Sequence, residues 1–304
     1  MTERVLPRQP VHVRATEIPR VRQSTPWRLA RRPRWTPMGL LGLALVTFIV
    51  VIALLGPWLI PTDPQTQDLA GRLAPPVWLG GTWTAPLGTD GLGRDLLARI
   101  ANGARISLLV GVVATTIAAG VGVTLGLIGG FGGGWLDRLT TFVTEVQLAV
   151  PFVVVAIAVT ATLGHGVWKL ILVLALTGWV GYARIVRLQA AALRRAPFIE
   201  AARAIGATPV RIAMRHTLPQ LPGPIIVVAS QQVAAMILYE AALSYLGLGV
   251  PSDVITWGGM VAAGRDSLLT AWWVSTLPGV AIALTILGLH LLGDWFIELA
   301  DPVS

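Results

Sequence analysis

The chain has 304 residues, of which 54% are hydrophobic and 12% charged, and it carries a formal net charge of +8. An average soluble domain contains about 25% charged residues, so a soluble enzyme or a DNA-binding domain is disfavoured. The absence of cysteine excludes a disulfide framework, a cysteine-containing zinc site and a thiol nucleophile. Lys169, the only lysine, is followed by Leu170, so the chain lacks the Gly-Lys-[Ser/Thr] of a P-loop, and any ATP that drives it must be bound by another chain.

Six apolar stretches in the sequence are long enough to cross a membrane, since a transmembrane helix needs about 20 predominantly apolar residues. The fourth stretch is the shortest, and it spans the bilayer only if Arg184 and Arg187 extend from its last turn into the headgroups. The stretches cover residues 39–60, 106–136, 139–163, 170–183, 216–239 and 267–293. This pattern predicts an all-α polytopic membrane protein with six transmembrane helices.

The arginines predict the orientation of these spans. Residues 1–37 contain nine arginines and two glutamates, and residues 184–216 contain seven arginines and one glutamate. Six spans place both regions on the same side, which the positive-inside rule identifies as the cytosol. Residues 1–37 are predicted to be a disordered tail, because their prolines would break a presequence helix, and the apolar run that follows is too long for a cleaved signal.

Small residues recur every four positions in the second span. They form a flat stripe on one face of a helix, along which another helix can approach closely and gain dispersion contacts. A face that lines a substrate path is the alternative, and we interpret the stripe as helix packing. The residues are Ala114, Ala118, Gly122, Gly126 and Gly130.

Three ionisable residues within or beside the spans are functional candidates, because such groups are rare inside a bilayer. Glu145, Glu240 and His290 all lie near predicted helix ends, where water can solvate them, and only for Glu240 is a functional role equally favoured. No series of Asp, Glu and His crosses the membrane at mid-depth, and the zinc-protease and serine-hydrolase motifs do not occur. These features disfavour an ion-coupled secondary transporter and membrane-embedded catalysis.

The long arginine-rich loop after the fourth span predicts a compact helix, turn and second helix. Pro197 suits a first helical position, and Glu200 in the first turn interacts favourably with the helix dipole. Gly206 can take the left-handed conformation that ends this helix, and Thr208 can cap a second helix that begins at Pro209 and runs to about residue 216. From these residues alone, the loop is either an amphipathic element at the membrane surface or a contact for a cytosolic partner.

At this loop the sequence resembles the signature of permease subunits of ATP-binding-cassette importers. Other segments narrow the resemblance to the C-type inner-membrane subunit of the dipeptide, oligopeptide and nickel transporter group, and it covers about residues 36–302. The signature residues are Glu200, Ala201, Ala202, Gly206, His216, Leu218 and Pro219. The other matching segments are residues 87–95, 103–108, 134–137, 240–249, 257–260 and 291–294.

The resemblance implies the fold of type I ABC importer permeases, and together with the spans it divides the chain. Residues 1–37 are the cytosolic tail, residues 38–60 the first transmembrane helix and residues 61–102 an extracytoplasmic segment. The permease domain covers residues 103–293, with a coupling loop at 188–220, and a cytosolic C-terminal tail follows at 294–304.

By the same resemblance, the subunit lies in a bacterial or archaeal cell membrane with both termini cytosolic. It forms the translocation path with a second homologous permease, and two ATPase subunits and an extracytoplasmic solute-binding protein complete the importer. ATP and magnesium are expected to bind to the ATPase subunits, so this chain is not expected to be an enzyme. It is also not expected to bind a cofactor, a metal or nucleic acid. Dipeptides and oligopeptides are the expected substrates, with nickel, glutathione or another small solute as alternatives. The alternative classes of protein are an ion-coupled secondary transporter and a structural membrane scaffold.

The resemblance also implies roles for particular residues. Glu200 is expected to cap its own helix and meet a basic group of an ATPase subunit, and a side chain at Gly206 is expected to strain the turn or block that approach. Residues 61–105 and 250–272 are the expected docking surfaces for the binding protein. The candidates for extracytoplasmic contacts or gating are Asp90, Arg94, Asp95, Glu240 and Trp257. The first three can equally pair with one another and cap the following helix.

Overall fold

The computed structural model describes residues 36–300, with side chains placed through residue 298. The tail predicted at residues 1–37 lies outside the described residues except for its last two positions. Within residues 36–300 there is no β-sheet, only an isolated bridge between Thr89 and Asp95. The helices are α1 (Pro37–Leu59), α2 (Leu96–Gly132), α3 (Gly134–Ala149), α4 (Phe152–Leu163), α5 (Val167–Leu193), α6 (Pro197–Ala204), α7 (Pro209–Ile212), α8 (Pro222–Tyr245), α9 (Trp257–Gly264) and α10 (Trp273–Ala300).

Five of these helices, α1, α2, α5, α8 and α10, are long and apolar enough to cross a membrane. The third predicted span, residues 139–163, is not one straight helix, because α3 and α4 meet at an angle of 82°. The break falls at Val150 and Pro151, where the proline ring and its missing N–H prevent a regular turn. The described residues therefore contain six spans if the bent pair counts as one.

Several span boundaries differ from those predicted. Helix α2 begins at Leu96, inside the segment predicted as extracytoplasmic, because the Asp95 carboxylate accepts a hydrogen bond from the Ala98 N–H at 3.0 Å and caps the helix. Helix α8 begins at Pro222 rather than at residue 216, since a proline is tolerated in the first turn of a helix but not in its interior. Helix α10 continues to Ala300, through most of the tail predicted at 294–304.

The stripe of small residues in α2 lies against α5. A Cβ atom added to Gly126 would come within 2.8 Å of both the Ala183 carbonyl oxygen and the Val186 Cβ, so no side chain fits there. The backbones of the two helices therefore approach closely, as small residues permit in membrane proteins. The other members of the stripe, Ala114, Ala118, Gly122 and Gly130, are also buried.

Residues 60–95 form an outer cap, which covers the end of the bundle where α2 begins. We call this end the outer end, and the opposite one, where α2 stops, the inner end. The Gln65 Nε2 donates a hydrogen bond to the Asp253 carbonyl oxygen at 2.9 Å, and the Trp273 Nε1 donates one to the Thr89 carbonyl oxygen at 3.4 Å. The two loops predicted as docking surfaces thus belong to one continuous structure.

Candidate functional site

The segment between α5 and α8, residues 194–221, folds at the inner end and is called the coupling segment below. It contains α6 and α7, as predicted, and Thr208 caps α7 by accepting a hydrogen bond from the Arg211 N–H at 3.3 Å. After α7 the backbone widens into a π-helical turn at Ala213–Thr217 and then tightens into a 3₁₀ turn at Leu218–Gln220. The second helix of the segment is therefore less regular than expected.

Gly206 adopts the left-handed conformation and ends α6, as predicted. Its φ is +84°, its N–H donates to the Arg203 carbonyl oxygen at 2.9 Å, and the Ala207 N–H donates to the Ala202 carbonyl oxygen at 3.0 Å. This pair of bonds is a Schellman motif, which satisfies the last carbonyl groups of the helix. A Cβ at Gly206 would meet nothing within 4 Å, so the space beside it is open to another molecule.

The coupling segment is held on the bundle by its own small apolar core. Ile199, Ala202 and Ile212 are buried together with Phe131 from the last turn of α2. The Arg203 guanidinium carbon lies 5.7 Å from the centre of the Phe131 ring, in a cation–π contact. The segment therefore rests directly on the inner end of α2.

The coupling segment also presents apolar side chains to the surroundings. Ile205 is 86% exposed, Val210 is 72% exposed and Met214 is 55% exposed. Three large apolar side chains exposed within one short segment suit a contact with another chain. We call Ile205, Val210 and Met214 the outward face of the segment.

The seven residues of the sequence signature divide between buried and exposed positions. Ala202 is buried, His216 is half-buried, and Leu218 packs on the core formed by Leu127, Val186, Ala190 and Leu221. Glu200, Ala201, Gly206 and Pro219 are exposed. The expectation that Glu200 caps its own helix is wrong, because α6 has no side-chain cap and its N-cap residue is Ala196.

At the outer end, Asp90, Arg94 and Asp95 make local contacts. The Asp90 carboxylate accepts hydrogen bonds from the Arg94 Nε at 2.7 Å and from the Leu92 N–H at 2.8 Å, and the Arg99 Nε lies 3.4 Å from it. Asp95 caps α2. Asp90 and Asp95 are both buried, so their carboxylates stabilise the outer cap and do not face a docking partner.

Glu240 lies in a buried polar cluster near the outer end, and its exposed fraction is 0%. The Ser244 Oγ donates a hydrogen bond to its Oε1 at 2.8 Å, and the Ser107 Oγ, from α2, donates to its Oε2 at 3.4 Å. Ser107 in turn accepts a hydrogen bond from the Trp257 N–H at 3.1 Å, and the Trp257 Nε1 donates to the Ile100 carbonyl oxygen at 2.9 Å. Glu240 thus joins α8 to α2 and, through Ser107, to the start of α9.

Other sequence candidates lie apart from this cluster. Glu145 and His290 are exposed, and neither forms an ion pair within the described part of the chain. No group of three or more potential metal ligands occurs among residues 36–298. Sequence reasoning missed Ser107, whose small hydroxyl carries no signal until α2 and α9 are brought together.

Sequence reasoning also missed the aromatic surface of the outer cap. Trp78 and Trp83 are 55% and 81% exposed on it. Large exposed aromatic side chains suit a contact with another protein or with the membrane interface. Unlike the buried Asp90 and Asp95, they are accessible for external contacts.

A bundle of membrane-length helices, with a folded segment at one end, defines a polytopic membrane protein. The chain belongs to the family of binding-protein-dependent transport system inner membrane components, whose model matches residues 122–303. Residues 25–76 match the N-terminal TM domain of oligopeptide transport permease C. The resemblance inferred from the sequence is thereby confirmed.

Several relatives match most of the chain. It is 38% identical to the di/tripeptide transport system permease protein DppC of Pseudomonas aeruginosa (strain UCBPP-PA14), over 86% of each chain. It is 34% identical to the probable D,D-dipeptide transport system permease protein DdpC of Escherichia coli (strain K12), over 88% of each chain. It is also 36% identical to the dipeptide transport system permease protein DppC of Bacillus subtilis (strain 168), over 90% of this chain and 84% of the relative.

The fold is that of type I ABC importer permeases, as the sequence implied. A chain from inward-facing structures of the MetNI methionine ABC transporter superposes with a TM-score of 0.54 at 19% identity. The match covers 67% of this chain and 96% of that chain. At this identity the likeness concerns the fold alone.

Proposed function

We propose that this chain is the transmembrane permease subunit of an ATP-binding-cassette importer for short peptides. It forms the translocation path with a second permease subunit, and it works with two ATPase subunits and an extracytoplasmic binding protein. The relatives that match most of its length are permeases of dipeptide and di/tripeptide systems, which supports a peptide substrate. ATP and magnesium are bound by the ATPase subunits, and both termini of this chain lie in the cytosol.

The observation that carries this proposal is the two-sided coupling segment. Its inner side packs on Phe131 of α2, while its outward face exposes Ile205, Val210 and Met214. Large apolar side chains so exposed within one short loop favour a loop that inserts into a groove of another protein. The arginines of the segment support a cytosolic position by the positive-inside rule, where an ATPase subunit has access to it.

The geometry indicates how movement of an ATPase subunit reaches the membrane helices. The coupling segment is continuous with α5 and α8, and its core includes the last turn of α2. A displacement of the segment is therefore applied directly to three spans. The α2 and α5 helices respond together, because the glycine and alanine stripe leaves no space between them.

A charge placed on the outward face tests this proposal. We expect Val210→Asp to reduce the recovery of ATPase subunits with the purified permease pair by at least about tenfold, because a buried unpaired carboxylate strongly destabilises an interface. ATP-dependent peptide uptake in reconstituted vesicles should fall with it. The matched control for ATPase recovery is Leu269→Asp, which places the same charge on a fully exposed leucine in the loop before α10, away from the coupling segment. Its uptake is not used as a control, because residues 250–272 are an expected docking surface for the binding protein.

Two results would contradict the proposal. If Val210→Asp retains the ATPase subunits and transports at the wild-type rate, the outward face is not the docking surface. If uptake by the wild-type complex persists without ATP and follows a proton gradient, the chain is part of an ion-coupled carrier. Competition of labelled dipeptide uptake by nickel or by glutathione distinguishes the substrate classes.

A further inference from the structure

A polar cavity of about 660 Å³ lies at the inner end, between the turn that joins α2 to α3, the end of α5 and helix α6. Gly133 and Gly134 form one wall and Arg194 and Arg195 form another. The coupling segment forms part of its wall, with α6 contributing Glu200 and Arg203, and none of the three residues of the outward face lines it.

The charges that line this cavity are unbalanced. Arg194 and Arg195 have no ion pair within the described part of the chain. The carboxylate of Asp137, which also lines the cavity, is already bound to the Arg187 Nη1 at 2.9 Å. Together with Arg203, the cavity therefore presents three guanidinium groups, and Glu200 is the one lining carboxylate without an ion pair among the described residues.

Glycine at the α2–α3 turn is what allows Arg194 to occupy its position. The φ angles of Gly133 and Gly134 are +63° and +56°, a conformation that other residues rarely adopt. The Arg194 guanidinium lies so close to Gly133 that a Cβ there would overlap its Nη1 atom. The turn therefore packs a guanidinium group against the backbone of Gly133 in the cavity wall.

Neighbouring residues indicate that the cavity lies at the level of the lipid headgroups. It is built from the ends of three membrane-length or bent-span helices, α2, α3 and α5. Trp135, the residue after Gly134, is 70% exposed, and tryptophan is enriched at the interface between membrane and water. Guanidinium groups at this depth pair with phosphate, for which their forked donors are well suited.

From these observations we propose that the cavity binds the phosphate of an anionic phospholipid headgroup. The inference rests on the proposed orientation, in which the inner end faces the cytosol. A bound headgroup contacts α6 as well as the ends of α2 and α5, so it stabilises the packing of the coupling segment on the inner end of the bundle. Transport by the complex is then dependent on anionic lipid, independently of the docking of the ATPase subunits.

The test uses the complete complex in nanodiscs that contain phosphatidylcholine with or without phosphatidylglycerol. Native mass spectrometry counts the phosphatidylglycerol molecules and the ATPase subunits that remain bound. We expect Arg194→Gln to lower retained phosphatidylglycerol roughly fivefold, the factor that corresponds to one arginine near an anionic lipid. The control is Arg138→Gln, which removes the same charge from an exposed arginine of α3 outside the cavity and should leave retention unchanged.

Each other outcome overturns the proposal in a distinct way. Equal retention of phosphatidylglycerol by wild type and Arg194→Gln means that the cavity does not bind lipid. Loss of ATPase subunits from Arg194→Gln with unchanged lipid means that the arginines contact the ATPase. Saturable stabilisation of the complex by inorganic phosphate in pure phosphatidylcholine, abolished by Arg194→Gln, means that the ligand is a soluble anion. Absence of ATPase subunits from the wild-type complex would instead count against the proposed function.

Discussion

Removal of the Glu240 carboxyl group should loosen helix α9 from the bundle. Glu240→Ala deletes the acceptor of the buried hydroxyl groups of Ser244, at 2.8 Å, and Ser107, at 3.4 Å, and the partner of the Thr256 side chain at the start of α9. A buried donor left without a partner costs about 1–3 kcal/mol, and each serine can recover part of this by bonding its own helix backbone. We therefore expect the start of α9 to be destabilised by about 2–4 kcal/mol relative to wild type.

The lack of cysteine in the chain provides the assay. Met260 lies on α9 and is 4% exposed, so Met260→Cys introduces a single buried thiol. A membrane-impermeant maleimide reacts with this thiol only when α9 opens. A destabilisation of 2–4 kcal/mol raises the open population, and with it the labelling rate, by about 30-fold to 900-fold.

Two controls belong to this experiment. Glu240→Gln keeps the length of the side chain and one carbonyl acceptor, so its labelling rate should rise far less than that of Glu240→Ala. Glu145→Ala removes an exposed carboxylate elsewhere and should have no effect. The reasoning is refuted if Glu240→Ala leaves the labelling of Cys at position 260 at the parental rate while the variant protein remains inserted and folded.

Three further predictions concern the coupling segment, the α2–α5 contact and the outer cap. Gly206→Asp should cost only about 1 kcal/mol of stability, because Asp tolerates a positive φ, but it should reduce the recovery of ATPase subunits at least about tenfold. The control is Gly247→Asp, which has a φ of +78° and equally open space and should retain the ATPase subunits. Gly126→Leu should lower the midpoint of thermal unfolding in detergent, since overpacking costs about 1–3 kcal/mol or more, and Gly120→Leu, which meets nothing within 4 Å, should not. Asp90→Asn should expose the outer cap to added trypsin, because loss of a buried ion-pair partner costs about 3–5 kcal/mol.

Each of these predictions can fail separately. If Gly206→Asp transports peptide at the wild-type rate, the turn at Gly206 does not contact the ATPase subunit. Equal unfolding midpoints for the two leucine variants would show that α2 and α5 can separate without loss. Unchanged trypsin cleavage of Asp90→Asn would show that the outer cap does not depend on the ion pairs.

The features that the sequence predicted well depend on local chemistry. The capping residue Thr208 and the turn at Gly206 lie where their side chains or backbone freedom place them, because a helix boundary is decided within one turn. Hydropathy located the long spans because a span depends on the composition of about 20 consecutive residues. By contrast, Pro57 and Pro278 lie inside intact helices while Pro151 separates α3 from α4, so a proline in an apolar run does not by itself indicate a break.

The buried polar cluster could not be predicted, because its members are distant in sequence. Ser107 is 133 residues from Glu240 and 150 residues from Trp257. The sequence predicted Glu240 near a helix end, where solvation by water explains an ionisable residue as well as a functional role does. Only the packing of α2, α8 and α9 removes that water and supplies serine hydroxyls in its place.

The close contact between α2 and α5 limits where this subunit can bend. Helices whose backbones touch along a row of glycines cannot slide or tilt past one another without overlap, so they move as one rigid body. That body is about 55 Å long, the length of the 37 residues of α2, and it connects the seat of the coupling segment to the outer cap. Bending must therefore occur outside it, and the break before α4, where the chain already turns by 82°, is one such place. Because the Arg187–Asp137 ion pair ties α3 to α5, α4 is the part of the bent pair that can change its angle when the rigid body turns.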